Sequence, residues 1–149
     1  MRLCMMKHIR TRICILILAL LPLLAGAADS IVVVVNQANG IESLSRTDVV
    51  NIFMGRFREF PSGIAAQPID MPASATRTQF YRTLVKKEPA EINAYWARLV
   101  FAGRTSPPIQ ADSPADVLRT LRANPGGIAY MERSQVTNRE KIVFELPAP

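Results

Sequence analysis

The stretch from Gln67 to Tyr81, QPIDMPASATRTQFY, holds the residue types best suited to chemistry. Ser74, Thr76 and Arg77 offer two hydroxyl donors and a guanidinium, and Asp70 stands four residues before Ser74. The pattern predicts a short strand over Gln67–Asp70, a turn broken by Pro72, and a helix capped by Ser74 or Thr76. Phe80, Tyr81, Leu84 and Val85 form its apolar face. A helix that opens directly off a strand end presents unpaired backbone N–H groups, and its aligned peptide dipoles place partial positive charge there. Such a tip suits an anion. Serine and threonine are also ordinary helix caps, contributing about 1 kcal/mol with no ligand at all, so the same residues also read as a plain cap.

Other chemistry is limited by what surrounds this stretch. Arg2, Lys7, Arg10 and Arg12 form a positive leader, Ile13 to Leu24 is apolar but for Pro22, and Ala25-Gly26-Ala27 supplies small residues for cleavage. Residues 1–27 therefore read as a signal peptide cut after Ala27, with retention as an anchor the alternative. Alanine stands where a lipoprotein would need cysteine, so the exported protein is expected to be periplasmic and free of lipid. Cys4, Cys14 and His8 all leave with the leader. What remains lacks thiol nucleophiles, disulfides, histidine triads and histidine-bearing zinc sites.

The chain has 18 basic and 12 acidic residues, and four of the basic ones lie in the leader, which leaves a formal charge of about +2 on the exported part. Nucleic acid is a poor partner for so small an excess. Glu42, Asp48, Asp70, Glu88 and Glu91 show no spacing of a paired-carboxylate site and read as caps or solvated charges. No enzyme activity and no cofactor are expected.

Residues 28–149 fit one domain. Ile31 to Val35, five consecutive apolar β-branched residues, predict a strand buried on both faces of a mainly parallel or mixed sheet. Ser45 and Asp48 have capping-box spacing, and Val49, Ile52, Phe53 and Phe57 follow at helical intervals, with Gly55 suited to the cap at the far end. Arg56 to Ala66 reads as a wrapping loop. Pro89 suits the first turn of another helix, whose Ile92, Tyr95, Trp96, Leu99 and Val100 share one face; such an aromatic stripe is usually core. Gly103 ends that helix, and Thr105 to Ala111 reads as an exposed connector.

Ser113-Pro114-Ala115-Asp116 opens a helix with Val117, Leu118 and Leu121 facing inward, and Asn124 to Gly127 stops it. Strands follow at Ile128–Met131 and, as an edge, Ile142–Leu146. Strands alternating with helices predict an α/β sheet flanked by helices. Ligands collect at the carboxyl ends of strands in such sheets, and the turns after Val35 and after Asp70 are both expected on that rim.

Four segments, in this order, resemble one lobe of the type 2 periplasmic solute-binding proteins, specifically the phosphate-binding component of ABC transporters: IVVVVN, SLSRTDVVNIFMGRF, PIDMPASATRTQFY and NPGGIAYM. Tyr95-Trp96 and Phe101-Ala102-Gly103 look like those of short, single-lobe relatives. The resemblance implies a periplasmic-binding-protein-like α/β lobe with oxyanion contacts from Ser74, the backbone at Ala75 and Thr76, to which Arg77 adds its charge. It also implies a permease or sensor as downstream partner. Where the family commonly carries an arginine four residues before the serine, this chain has Asp70. That carboxylate suits either a proton from a protonated phosphate or a pairing with Arg77.

Two functions follow as expectations. One is capture of phosphate or a similar small oxyanion at residues 74–77. The other is a non-enzymatic envelope interaction module, docking to another protein or to itself through the loop Arg56 to Gly63, where Phe57 and Phe60 either face a partner or seal the core.

Overall fold

The computed structural model describes residues 29–147. The predicted signal peptide and its cleavage point lie outside the described residues. The chain runs β1 (Ile31–Asn36), α1 (Arg46–Phe53), β2 (Gln67–Asp70), α2 (Ala75–Val85), α3 (Pro89–Phe101), β3 (Ile109–Gln110), α4 (Pro114–Ala123), β4 (Gly127–Glu132) and β5 (Glu140–Glu145).

The five strands form one mixed sheet in the order β3-β2-β4-β1-β5. β2 lies parallel to β3 and to β4, whereas β1 lies antiparallel to β4 and to β5. The run Ile31–Val35 is fully buried, as its β-branched composition requires. Burial on both faces does not fix strand direction, however, and β1 runs against the other four strands. Its outgoing turn, Gln37–Asn39 and Gly40, therefore sits at the opposite end of the sheet from Asp70, not on a shared rim. There the Asn36 amide donates to the carbonyls of Leu121, Arg122 and Asn124, closing the end of α4.

Local sequence sets the helix starts. Ser45 and Asp48 form a reciprocal capping box on α1, Ser113 caps α4 ahead of Pro114, and Glu88 precedes Pro89 at the start of α3. α1 buries Val49, Ile52 and Phe53. Phe57, placed by spacing on the same face, is instead about half exposed, while Phe60 is buried in the core. The helix has already ended, because Gly55 at φ +69° turns the chain away. That glycine also admits Trp96: a Cβ there would lie 2.5 Å from Cη2 of the indole.

Tyr95 ties α3 to α1 by donating to the Met54 carbonyl at 2.7 Å. Arg46 reaches from the start of α1 to the carbonyls of Thr83 and Leu84, the last turn of α2, where a cation is favoured. Phe53, Phe80, Tyr81 and Tyr130 form the aromatic centre of the core, with Phe80 stacked on Tyr130 at 3.7 Å.

The connector Thr105 to Ala111 is only partly a connector. Ile109–Gln110 forms the edge strand β3 beside β2, and Ala111 is buried with its N–H donating to the Asp70 carbonyl. Two residues of strand are too few to leave a periodic signal. β5 is the opposite edge, as its alternation predicts, although it begins two residues early, at Glu140. Among the described residues no helix is long and apolar enough to cross a membrane.

Candidate functional site

β2 ends at Asp70, and the chain turns through Met71-Pro72-Ala73 to Ser74, the N-cap of α2. Ser74 is extended (φ −160°, ψ 165°), and its Oγ accepts from the Arg77 N–H at 3.1 Å. Ser74 and Ala75 are exposed. The N–H groups of Ala75 and Thr76 precede the first intrahelical hydrogen bond and find no acceptor among the described residues. Two unpartnered amide donors and the positive end of the helix dipole thus stand at the end of β2, beside the exposed Ser74 and Ala75.

The side chains that follow turn elsewhere. Thr76 Oγ1 donates to Oε1 of Glu132, the last residue of β4, at 3.0 Å. Arg77 folds under the helix tip and is buried. Its Nε donates to Asp70 Oδ2 at 3.0 Å, its Nη2 to Asn93 Oδ1 at 3.0 Å, and its guanidinium carbon lies 5.3 Å from the centre of the Tyr81 ring. Asp70, also buried, accepts from the Tyr130 hydroxyl through Oδ1 at 2.5 Å. Of the two roles expected for Asp70, pairing with Arg77 is the one the geometry displays.

Two opposed charges packed this closely neutralise each other inside the lobe. Burial works against the Arg77 charge, but the hydrogen bond and charge of Asp70 outweigh it and raise the guanidinium pKa. Burial first, then the Asp70 charge, pushes the Tyr81 and Tyr130 hydroxyls well above the ordinary phenol range. The Tyr81 hydroxyl is buried beside this network without a well-formed hydrogen bond among the described residues.

The structure therefore brings Asp70 and Arg77 into contact beneath the tip, leaves Ser74 and Ala75 at its surface, and directs Thr76 sideways. Three participants escaped the sequence reading. Tyr130 and Glu132 sit in the strand GIAYME, where only their place at the end of a buried run hinted that they share a rim with Ser74. Asn93, one polar residue among several on α3, carried no signal. Among the described residues no cluster of histidine, cysteine and carboxylate side chains is arranged to hold a metal.

No sequence-family model matches the chain, and no curated protein matches it. Its fold is nevertheless shared with solved structures. A protein from Clostridium perfringens, assigned as a phosphate ABC transporter substrate-binding protein and holding phosphate, superposes with TM-score 0.61 at 16% identity over 77% of this chain and 44% of its own. An ABC-type phosphate transport receptor from Vibrio cholerae gives 0.61 at 18% over 77% and 45%. PstS from Borrelia burgdorferi gives 0.59 at 14% over 77% and 46%. At these identities the likeness shows the fold. The chain spans less than half the length of each of these structures.

Proposed function

We propose that this chain is an exported, non-enzymatic solute-binding module of the periplasm. It captures phosphate or a similar small oxyanion at the start of α2 and serves a membrane permease of the ABC-transporter type or a sensor. The observation that carries this reading is the pair of unpartnered amides at Ala75 and Thr76, at the end of β2, in a lobe that shares its fold with a phosphate-holding protein. Ser74 contributes its hydroxyl, Thr76 contributes its own once Glu132 releases it, and the Arg77–Asp70 pair anchors the first turn from beneath. Because Asp70 already balances Arg77, the site offers dipoles more than net charge. A single lobe also leaves the ligand wet, where each contact is weaker than in a closed cleft.

A second reading is the interaction module that has lost solute binding. It is favoured by Glu132, whose carboxylate already takes the Thr76 hydroxyl, and by the enclosure of Arg77.

Calorimetry on residues 28–149 with phosphate, sulfate and acetate separates the two. Ala75→Pro removes one amide hydrogen at the first helical position, where proline is tolerated and the preceding Ser74 already has the extended backbone proline demands. Solute capture predicts saturable phosphate heat, weakened about tenfold by Ala75→Pro, reduced by Thr76→Ala, and strengthened by Glu132→Gln. Flat heats for both the parent protein and Glu132→Gln would sink the reading and leave the docking module.

A further inference from the structure

At the other end of β2 from the α2 tip, beside Gln67 and Pro68, lies an open groove of about 760 Å3. Phe57, Arg58, Trp96, Val100, Arg104 and Ile109 are among the residues lining it. Large apolar side chains left exposed among the described residues are Phe57, Ile64, Val100, Phe101 and Ile109. Three of these line the groove, and Phe101, 96% exposed, directly follows Val100. Apolar exposure in this domain is thus gathered at one end, where a solvated surface gains nothing from it.

Charge is gathered there too. Arg58 and Arg104 line the groove, Arg98 joins Arg104 in a smaller adjoining hollow with Tyr95 and Leu99, and Arg56 precedes Phe57. None of these four arginines belongs to the seven ion pairs among the described residues. Arg58 donates to the Arg104 carbonyl and Arg56 to the Asn51 side chain, so neither charge is paired with a carboxylate among the described residues. Trp96, pressed into the groove wall, keeps its indole N–H buried without a hydrogen-bond partner among the described residues, an uncommon state for a buried donor.

The charge pattern selects the occupant. A second copy has little to offer these arginines. Seven carboxylates are already in ion pairs, and Asp29, Asp48 and Glu132 accept hydrogen bonds from Ser134, Ser45 and Thr76. Of the rest, Glu59 belongs to the groove's own loop and the Asp112 charge acts on Arg119. The chain's first residues are basic and complement it no better.

We propose that this groove docks an extended acidic segment of a different protein. Its carboxylates meet Arg58, Arg98 and Arg104, and its apolar side chains seat against Phe57, Val100 and Ile109. β3 is the outer strand of the sheet, so the incoming chain lies along an edge open to pairing. This role does not depend on anion capture at α2.

Trp96 is the only tryptophan of the chain, so its emission reports groove occupancy directly. The probe is a synthetic ten-residue peptide alternating aspartate with valine and phenylalanine, titrated into the full exported protein. The expected result is a saturable change in Trp96 emission that weakens with added salt. It should weaken about tenfold in Arg98→Glu/Arg104→Glu, whose side chains make no bonds among the described residues, weaken also in Phe57→Ser, and persist in Thr76→Ala. An unchanged emission, or equal binding of the same peptide with lysine for aspartate, overturns the proposal. So does equal binding of an oligothymidylate of matched charge, which assigns the surface to nucleic acid. A dimer in sedimentation that Val100→Glu dissociates and the peptide does not displace assigns it to self-association.

Discussion

Asp70→Asn keeps the shape of the side chain and removes its charge, which isolates the contact that holds the α2 tip in place. The Asp70 side chain is 1% exposed and that of Arg77 8%, so the guanidinium left behind stays largely out of water. Removing one partner of a buried ion pair costs about 3–5 kcal/mol. The asparagine oxygen still accepts from Tyr130, and Arg77 keeps Asn93, which places the expected loss at the low end, about 3 kcal/mol. For a domain of this size that lowers Tm by about 12 °C. Urea melts and scanning calorimetry on the parent protein, Asp70→Asn, Arg77→Met and the double variant complete a cycle, in which the pair should show coupling of about 2 kcal/mol or more. A loss below about 1 kcal/mol, or two additive single losses, would refute the reasoning. A variant of unchanged stability with altered phosphate heat would instead place the Asp70 charge on the ligand.

Two further predictions concern the core. Tyr81 and Tyr130 have folded pKa values above the 10.0 of a free phenol, so the folded state holds their protons more tightly than the unfolded one. Stability is therefore full below pH 10 and falls as pH rises beyond it, and their phenolate absorbance should appear together with loss of secondary structure rather than before it. Gly55→Ala meets both the φ of +69° and the indole 2.5 Å from the new Cβ. It should destabilise by about 1–3 kcal/mol and shift Trp96 emission in the native state, and a neutral melt with unchanged emission would contradict the packing described.

Much of this architecture was legible because it is written in local rules. Ser45, Ser74 and Ser113 cap where their spacing to the next polar residue places them, and Ile31–Val35 is buried as a β-branched run should be. The direction of β1 was not legible, because Val32 has the same burial whether its neighbours run with it or against it. β3 was lost within a proline-rich connector. At the site, spacing located the helix tip, and the Asp70–Arg77 pairing was one of two roles its residue types allowed. The Glu132 and Tyr130 contacts join positions 56 and 60 residues apart, a separation over which no periodicity speaks.

The inverted direction of β1 also bears on how the molecule is made. Ile31 pairs with Glu132, and Val32 pairs with both Met131 and Glu145, so the first strand of the described residues finds its partners in the two that come last among them. Until that final stretch arrives, a row of five valines and isoleucines must travel without a sheet, the kind of non-local pairing that delays closure and exposes an aggregation-prone segment. A chain truncated after β4 would leave one flank of this strand bare. Arrival of β4 and β5, rather than any local pairing of β1, is what closes the sheet.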